Sequence, residues 1–326
     1  MDELEFSTQE LSAAITNLPT RIGNPNDVNL FRNVPGTTSA FEVEFYAEDT
    51  VLVPTTAWGG VAPKNGSGTR TLETFAIPHM PLEDVVKASD VMGVRAFGST
   101  AAETVNGKVL DKLQIMKNKI DTTLAYRRTK AKQGIILDAD GTVIVNYNTR
   151  FGITPQFVDF ELGTATTDVA AKCQDVIDQI EDGLGQETTS GIEVEVDRAF
   201  YDALVAHKNV REVFLNWSKG ADVLATGNKS GFEFGGLKFI VNRQKIGGVP
   251  LIGVKEGHAY PLGTQDVFLN ALAPADFSDT VNTLALPYYA SQEPLKHNRG
   301  FELHVQSNQL PIVAKPKALV KVVSTK

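Results

Sequence analysis

The sequence predicts an α+β protein built on one long helix, and three observations predict it. Residues 99–134 carry a single amphipathic helical pattern, and runs beginning at Phe41, Thr69, Ile135, Ile192, Phe232 and Gly300 have strand character. The composition, 42% hydrophobic and 21% charged over 326 residues, is that of a folded globule able to bury a sizeable core. That length suits one large domain with excursions or two packed domains.

Residues 1–36 are polar, interrupted by Pro19, Pro25 and Pro35, and hold one short helical candidate, Gln9–Asn17, so they read as an extended arm. Phe41-Glu42-Val43-Glu44-Phe45 alternates with period two, and the run continues to Val53 before Pro54 stops it. Trp58-Gly59-Gly60 and the turn cluster Pro63–Gly68 follow, then a second strand, Thr69–Ile77. Together they predict a long β-hairpin, which is marginal in water unless it lies on a surface. That surface comes from the rest of the chain or from a neighbouring subunit.

In Thr100-Ala101-Ala102-Glu103 the hydroxyl and carboxylate are spaced as a capping box. Val105, Val109, Leu113, Met116, Ile120 and Leu124 then recur at steps of three and four, one apolar stripe down a helix over 100–133. Gly134 ends it, and Arg127, Arg128, Lys130 and Lys132 crowd the last turns, where the macrodipole favours cations. Such a helix is about 45 Å long, against a radius of gyration of about 20 Å for a globule of this length. It predicts a flattened molecule on a single spine.

Ile135–Leu137, the turn Asp138–Gly141 and Thr142–Val145 predict a tight hairpin. Residues 166–182 repeat the helical pattern before Gly183, with Cys173 on the apolar face as a core residue. Ile192–Val196 alternates as a strand, and Asp197 caps a helix from Arg198. A further helix carries Val210, Val213, Phe214 and Trp217, with strands expected at Phe232–Val241 and Leu251–Val254. The tail, Gly300–Val323, has strand character broken at Pro311 and Pro316.

The formal net charge of −8 opposes a phosphate backbone and excludes the footprint of a sequence-specific nucleic-acid reader. The sign is uneven: residues 1–50 net −7 and residues 295–326 net +5, so the two ends are complementary or form two solvated faces. With Cys173 alone, one chain can form neither a disulfide nor a cysteine zinc site. The N-terminus has no signal pattern and no run of 18 apolar residues occurs, so a soluble cytosolic product without membrane contact is expected.

Phosphate-loop, dinucleotide, zinc-hydrolase and serine-elbow motifs are absent, and the five histidines share no ligand spacing. Asp138-Ala139-Asp140-Gly141 lacks the further ligands of a calcium loop, and Gly227–Gly231 lacks the helix a phosphate cradle needs. No enzyme, no cofactor and no metal are expected. Trp58 reads equally as an anchor in a neighbouring subunit or as a core residue.

Three segments carry a resemblance: Phe75-Ala76-Ile77-Pro78-His79 leading to Asp90-Val91-Met92-Gly93-Val94-Arg95; the long helix ending Tyr126-Arg127-Arg128; and Gly300–Pro311, the most specific. With them the order of elements resembles the lambda-type major capsid proteins, the phage capsid E family. The chain has Gln309-Leu310-Pro311 and Lys315-Pro316 where that family usually has Pro-Leu-Pro and then Arg-Pro.

The resemblance implies a Hong Kong 97-like capsid fold. Its parts would be an N-terminal arm (1–36), an extended loop (37–80), a peripheral domain with the spine helix (81–160 and 288–326) and an axial domain (161–287). It implies hexamers and pentamers of this chain closing an icosahedral head around double-stranded DNA without sequence-specific contacts. Scaffolding, portal and head-decoration proteins are the further partners, and the virion is the location. An encapsulin-type bacterial compartment of the same fold is the alternative.

The subunit interface is then expected at Glu42, Glu44, Glu48 and Asp49 of one copy facing Arg127 and Arg128 of the next, with Trp58 as an anchor. Residues 54–68, rich in glycine, are expected to reorder when a precursor shell expands.

Overall fold

The computed structural model describes residues 8–19, 29–47, 69–92, 104–220, 231–246 and 248–325. Its axis is the long helix. A short helix, α1 (Thr8–Asn17), precedes it, and the spine, α2, spans Val105–Lys132. At the standard rise these 28 residues extend about 42 Å.

The spine starts later than the expected position 100. Thr104 is the N-cap, with extended backbone angles and a hydroxyl that accepts from Gly107 N at 3.0 Å. Two hydroxyl residues stand four apart here, and local pattern cannot choose between them; the proposed box at Thr100–Glu103 lies outside the described residues. The end is as expected: Gly134, at φ +82°, donates its N–H to Ala131 O at 2.9 Å.

The stripe Val109, Leu113, Met116, Ile120 and Leu124 is buried against a three-stranded antiparallel sheet. That sheet orders β15 (Tyr289–Pro294), β16 (Gly300–Ser307) and β4 (Met80–Lys87). Leu11 and Ile15 of α1, one turn apart, complete the same core. The arm expected over residues 1–36 is therefore docked wherever it is described, because two apolar side chains at i and i+4 give even a polar segment a face to bury. Its continuation, β1 (Arg32–Pro35), runs parallel to β14 (Phe268–Leu272), whose other edge takes β17 (Gln309–Val313) antiparallel.

Pro311 does not break the tail. It lies within β17 opposite Asn270, and β17 is an edge strand, where a proline is tolerated. Tyr147 OH donates to its carbonyl at 2.6 Å.

The larger core surrounds a six-stranded mixed sheet, ordered β7 (Gln156–Asp159), β18 (Val320–Val323), β13 (Glu256–Leu262), β8 (Gly191–Val196), β10 (Leu237–Val241) and β9 (Phe232–Phe234). It draws strands from both sides of the expected boundaries near 160 and 287. Helices α4 (Val169–Leu184) and α5 (Arg198–Ala206) add their buried stripes, and α6 (Lys208–Gly220) follows. Asp168 caps α4 through Ala170 N and Ala171 N, and Asp197 caps α5 through Ala199 N.

Helix α4 runs past Gly183 to Leu184, with Gly185 as its C-cap. Gly183 serves packing, since a Cβ there would lie 2.4 Å from the Lys317 carbonyl of the crossing tail. The strand expected at Leu251–Val254 is a bend; β13 begins at Glu256, after a short ladder of β11 (Lys245–Ile246) and β12 (Val249–Pro250). The tight hairpin formed as expected, from β5 (Ile135–Leu137) and β6 (Val143–Asn146), leading into the one-turn helix α3 (Tyr147–Arg150).

Candidate functional site

Two further strands, β2 (Ala40–Ala47) and β3 (Thr69–Ala76), pair antiparallel from Ala40 opposite Ala76 to Ala47 opposite Thr69. Among the described residues this ribbon is bonded to no other sheet. At the usual rise it extends about 27 Å.

Its base is fastened to the larger core. Phe75 is buried, with ring centroids 6.2 Å from Tyr147 and 6.1 Å from Phe151. Arg150 Nε donates to Glu73 Oε2 at 2.7 Å, Arg150 Nη2 donates to Thr74 O at 3.0 Å, and the guanidinium lies 5.7 Å from the Phe75 ring centre. Farther out, Leu72 is 48% exposed, and Glu44 stands opposite it in the ladder. Glu42 is exposed on β2. Glu48, Asp49, Trp58 and the expected reordering segment 54–68 lie outside the described residues.

Arg127 is not the surface cation expected of it. Only 2% of its side chain is exposed, Nη2 donates to Asp138 Oδ1 at 2.8 Å and Nη1 to Met80 Sδ at 3.0 Å. A planar fork with five donors on a flexible stem can turn inward once a carboxylate waits there, and the turn at Asp138 supplies one. Arg128, the next residue round the helix, is half-buried.

Other charges on α2 are buried as well, which periodicity did not reveal. Lys117 Nζ donates to the carbonyls of Ile15 at 2.8 Å, Thr16 at 3.2 Å and Leu18 at 2.5 Å, capping the end of α1, and lies 4.8 Å from the Tyr288 ring centre. Burial pushes the Asp121 carboxyl up, opposed by the hydroxyl of Tyr288, which donates to it at 2.5 Å, and by Lys117 and Arg128.

The alternating Glu193 and Glu195 of β8 are buried too, at 2% and 4% exposure, because the end of the spine covers the polar face of the six-stranded sheet. Tyr260 OH donates to Glu193 Oε1 at 2.6 Å, and Lys132 Nζ to Glu195 Oε2 at 2.5 Å. Burial pushes the Glu193 carboxyl up, while Tyr260, Lys238 and Lys132 oppose the rise. The alternation was legible; which element would cover the acidic face was not.

Among the described residues no group of three or more His, Cys, Asp and Glu could hold a metal ion, and no helix is long and apolar enough to cross a membrane. Cys173 is buried, and burial pushes its thiol up to about 12, far from a reactive thiolate. The expected core role is the one it has.

A spine helix under a three-stranded sheet, a second mixed sheet and a two-stranded ribbon that packs on the larger core without joining either sheet among the described residues are the features of a capsid-protein fold. The structure of the putative capsid protein of a prophage from E. coli CFT073 is similar, with a TM-score of 0.57 and 14% identity over 99% of this chain and 100% of that one. So is the mature capsid of bacteriophage PhiM1, with a TM-score of 0.53 and 13% identity over 95% and 90%. In sequence, residues 7–324 match the family described as Phage major capsid protein E, and the chain belongs to that family. The major capsid protein of Salmonella phage Felix O1 (isolate Felix O1-VT1) is 24% identical over 98% of this chain and 97% of its own length. That of Pseudomonas phage KPP10 is 25% identical over 77% and 78%.

Proposed function

We propose that many copies of this chain assemble, through hexamers and pentamers, into the icosahedral head of a tailed bacteriophage around double-stranded DNA. The observation that carries this reading is the β2–β3 ribbon, which has its base packed on the larger core and, among the described residues, no sheet bonded to its edges. An isolated two-stranded ribbon gains little stability in water, whereas across a neighbour it buries its free edges and the face that carries Leu72, and symmetry repeats that contact around a ring. The role is structural, with no reaction assigned to it.

The interface retains the acidic groups Glu42, Glu44, Glu48 and Asp49 and the anchor Trp58. Their cationic partner on the neighbour is Arg128 without Arg127, since Arg127 is spent on Asp138. Portal, scaffolding and head-decoration proteins are the further partners of such a head.

Electron microscopy of the overexpressed chain tests the reading. Closed shells are the expected result, and a persistently small, monodisperse species at high concentration would overturn it. Shells carrying a protein cargo in place of DNA would favour the encapsulin-type compartment. Charge reversal at Arg128 should lower shell yield and salt resistance; unchanged values would remove that contact.

A further inference from the structure

The turn joining β15 to β16 holds two consecutive non-glycine residues in the left-handed region, His297 at φ +64° and Asn298 at φ +52°. Such backbone is costly for an L residue and persists only where surrounding contacts fix it. Here Leu295 N donates to Gly300 O at 2.8 Å and Asn298 N to Leu295 O at 3.0 Å. Ala88 N, just past β4, donates to Arg299 O at 2.9 Å. Gly300, at φ +143°, lies so close to β4 that a Cβ there would clash with Val86 O.

This fixed turn gathers cations. Lys87, the last residue of β4, stands opposite Gly300 in the ladder, Arg299 precedes that glycine, and Lys296 opens the turn. Lys87, Lys296 and Arg299 line one open cleft of about 830 Å³, with Glu302 as the carboxylate in its lining. All three cations are exposed, and none forms an ion pair among the described residues. Three cations against one carboxylate leave the cleft at +2, in a chain of net charge −8. Like charges crowded on fixed backbone repel one another, and an anion in the cleft removes that cost.

Charge and shape select the anion. One carboxylate from a protein neighbour leaves a positive charge uncompensated. A nucleic-acid strand brings a phosphate with every nucleotide, so two neighbouring phosphates balance the cleft. The planar fork of Arg299 suits two oxygens of one phosphate, and the lysines act on others as point charges. The cleft volume falls in the range, roughly 300–1,000 Å³, that takes groups larger than a lone carboxylate.

We propose that this cleft binds the phosphates of a nucleic-acid backbone without reading its sequence, through Lys87, Lys296 and Arg299. No base is contacted, so affinity comes from counterion release and falls steeply with salt. The proposal rests on the reading of a DNA-filled head for the source of its ligand, but its test is made on the chain in solution and needs no closed shell.

Fluorescence anisotropy of a labelled DNA duplex, titrated with the purified full chain, tests it. Saturable binding, equal for two unrelated sequences, is expected. Replacing all three cations together, Lys87→Gln, Lys296→Gln and Arg299→Gln, should lower affinity at least about tenfold near 0.1 M salt and flatten the salt slope by roughly 0.9 per cation removed. A control triple variant removes the same charge from exposed positions elsewhere, Lys208→Gln, Arg211→Gln and Lys255→Gln, and should keep affinity within about twofold of wild type. Equal losses in the two triple variants overturn the proposal, since net charge alone would then carry the binding. So does a wild-type chain that binds no duplex, even where inorganic phosphate shields Lys87 and Lys296 from acylation, which would make the ligand a small phosphate. Unchanged duplex binding with lost shell yield in the cleft variant also overturns it and gives the cleft to carboxylates of a second copy.

Discussion

Arg150 Nε donates to Glu73 Oε2 at 2.7 Å, tying the one-turn helix α3 to the base of the β2–β3 ribbon. The two side chains are 49% and 23% exposed, so solvent screens the pair, but the same guanidinium also holds Thr74 O and faces Phe75.

Arg150→Ala is therefore expected to cost about 1 kcal/mol of global stability and to act mainly on the ribbon. Hydrogen exchange should show faster amides in Thr69–Ala76 with the six-stranded sheet unchanged. Equal ribbon protection in variant and wild type would falsify the anchor.

Lys117 holds three carbonyls at the end of α1 from within the spine. Lys117→Met keeps the volume and removes the donors, at an expected cost of about 3 kcal/mol from buried acceptors left without partners. The loss should appear as release of α1, read as lost amide protection between Leu11 and Asn17. If α1 keeps its protection, the capping account fails.

Gly183 sits inside a helix, where alanine would ordinarily add about 1 kcal/mol. Here Gly183→Ala is expected to destabilise by a net of about 2 kcal/mol, because the new Cβ meets the backbone of Lys317. A urea midpoint equal to or above that of wild type would show that the crossing is looser than described.

Asp84 joins β4 to the spine. Burial pushes its carboxyl up, but Lys112 Nζ at 2.7 Å and Val85 N at 2.7 Å outweigh it and hold the group below its ordinary value of 3.8. The folded state thus binds this proton less readily than the unfolded one. The stabilisation is complete above pH 3.8 and is lost as pH falls through the lower folded value. Asp84→Asn should cost about 1 kcal/mol near neutral pH, discounted for the exposure of the pair, and the difference from wild type should shrink as pH drops below 3.8. A difference that persists unchanged into acid would assign the effect to packing.

What could be read along the chain was whatever repeats locally. The stripe from Val109 to Leu124, the alternation of β2 and β8, the Asp197 cap and the Gly134 stop each need only neighbours within a turn or a pleat, and each is where it was expected. The family resemblance at Gly300–Pro311 was legible too, and it carried the reading of function. Strand β14 escaped because it is buried at every residue and has no alternation to betray it. Pro311 misled because an edge position, a property of the whole sheet, decides whether a missing donor matters.

Sequence by itself determined the class of the protein: a long spine, a ribbon with a polar face, and the family resemblance near the end of the chain. Tertiary structure decided which charges are interior. Arg127, Lys117, Lys132, Glu193 and Glu195 look like solvated residues in any local window, and they are buried because segments far away in the chain bring the partner that makes burial affordable. Charge burial depends on geometry at a few ångströms between remote residues, which no periodicity encodes.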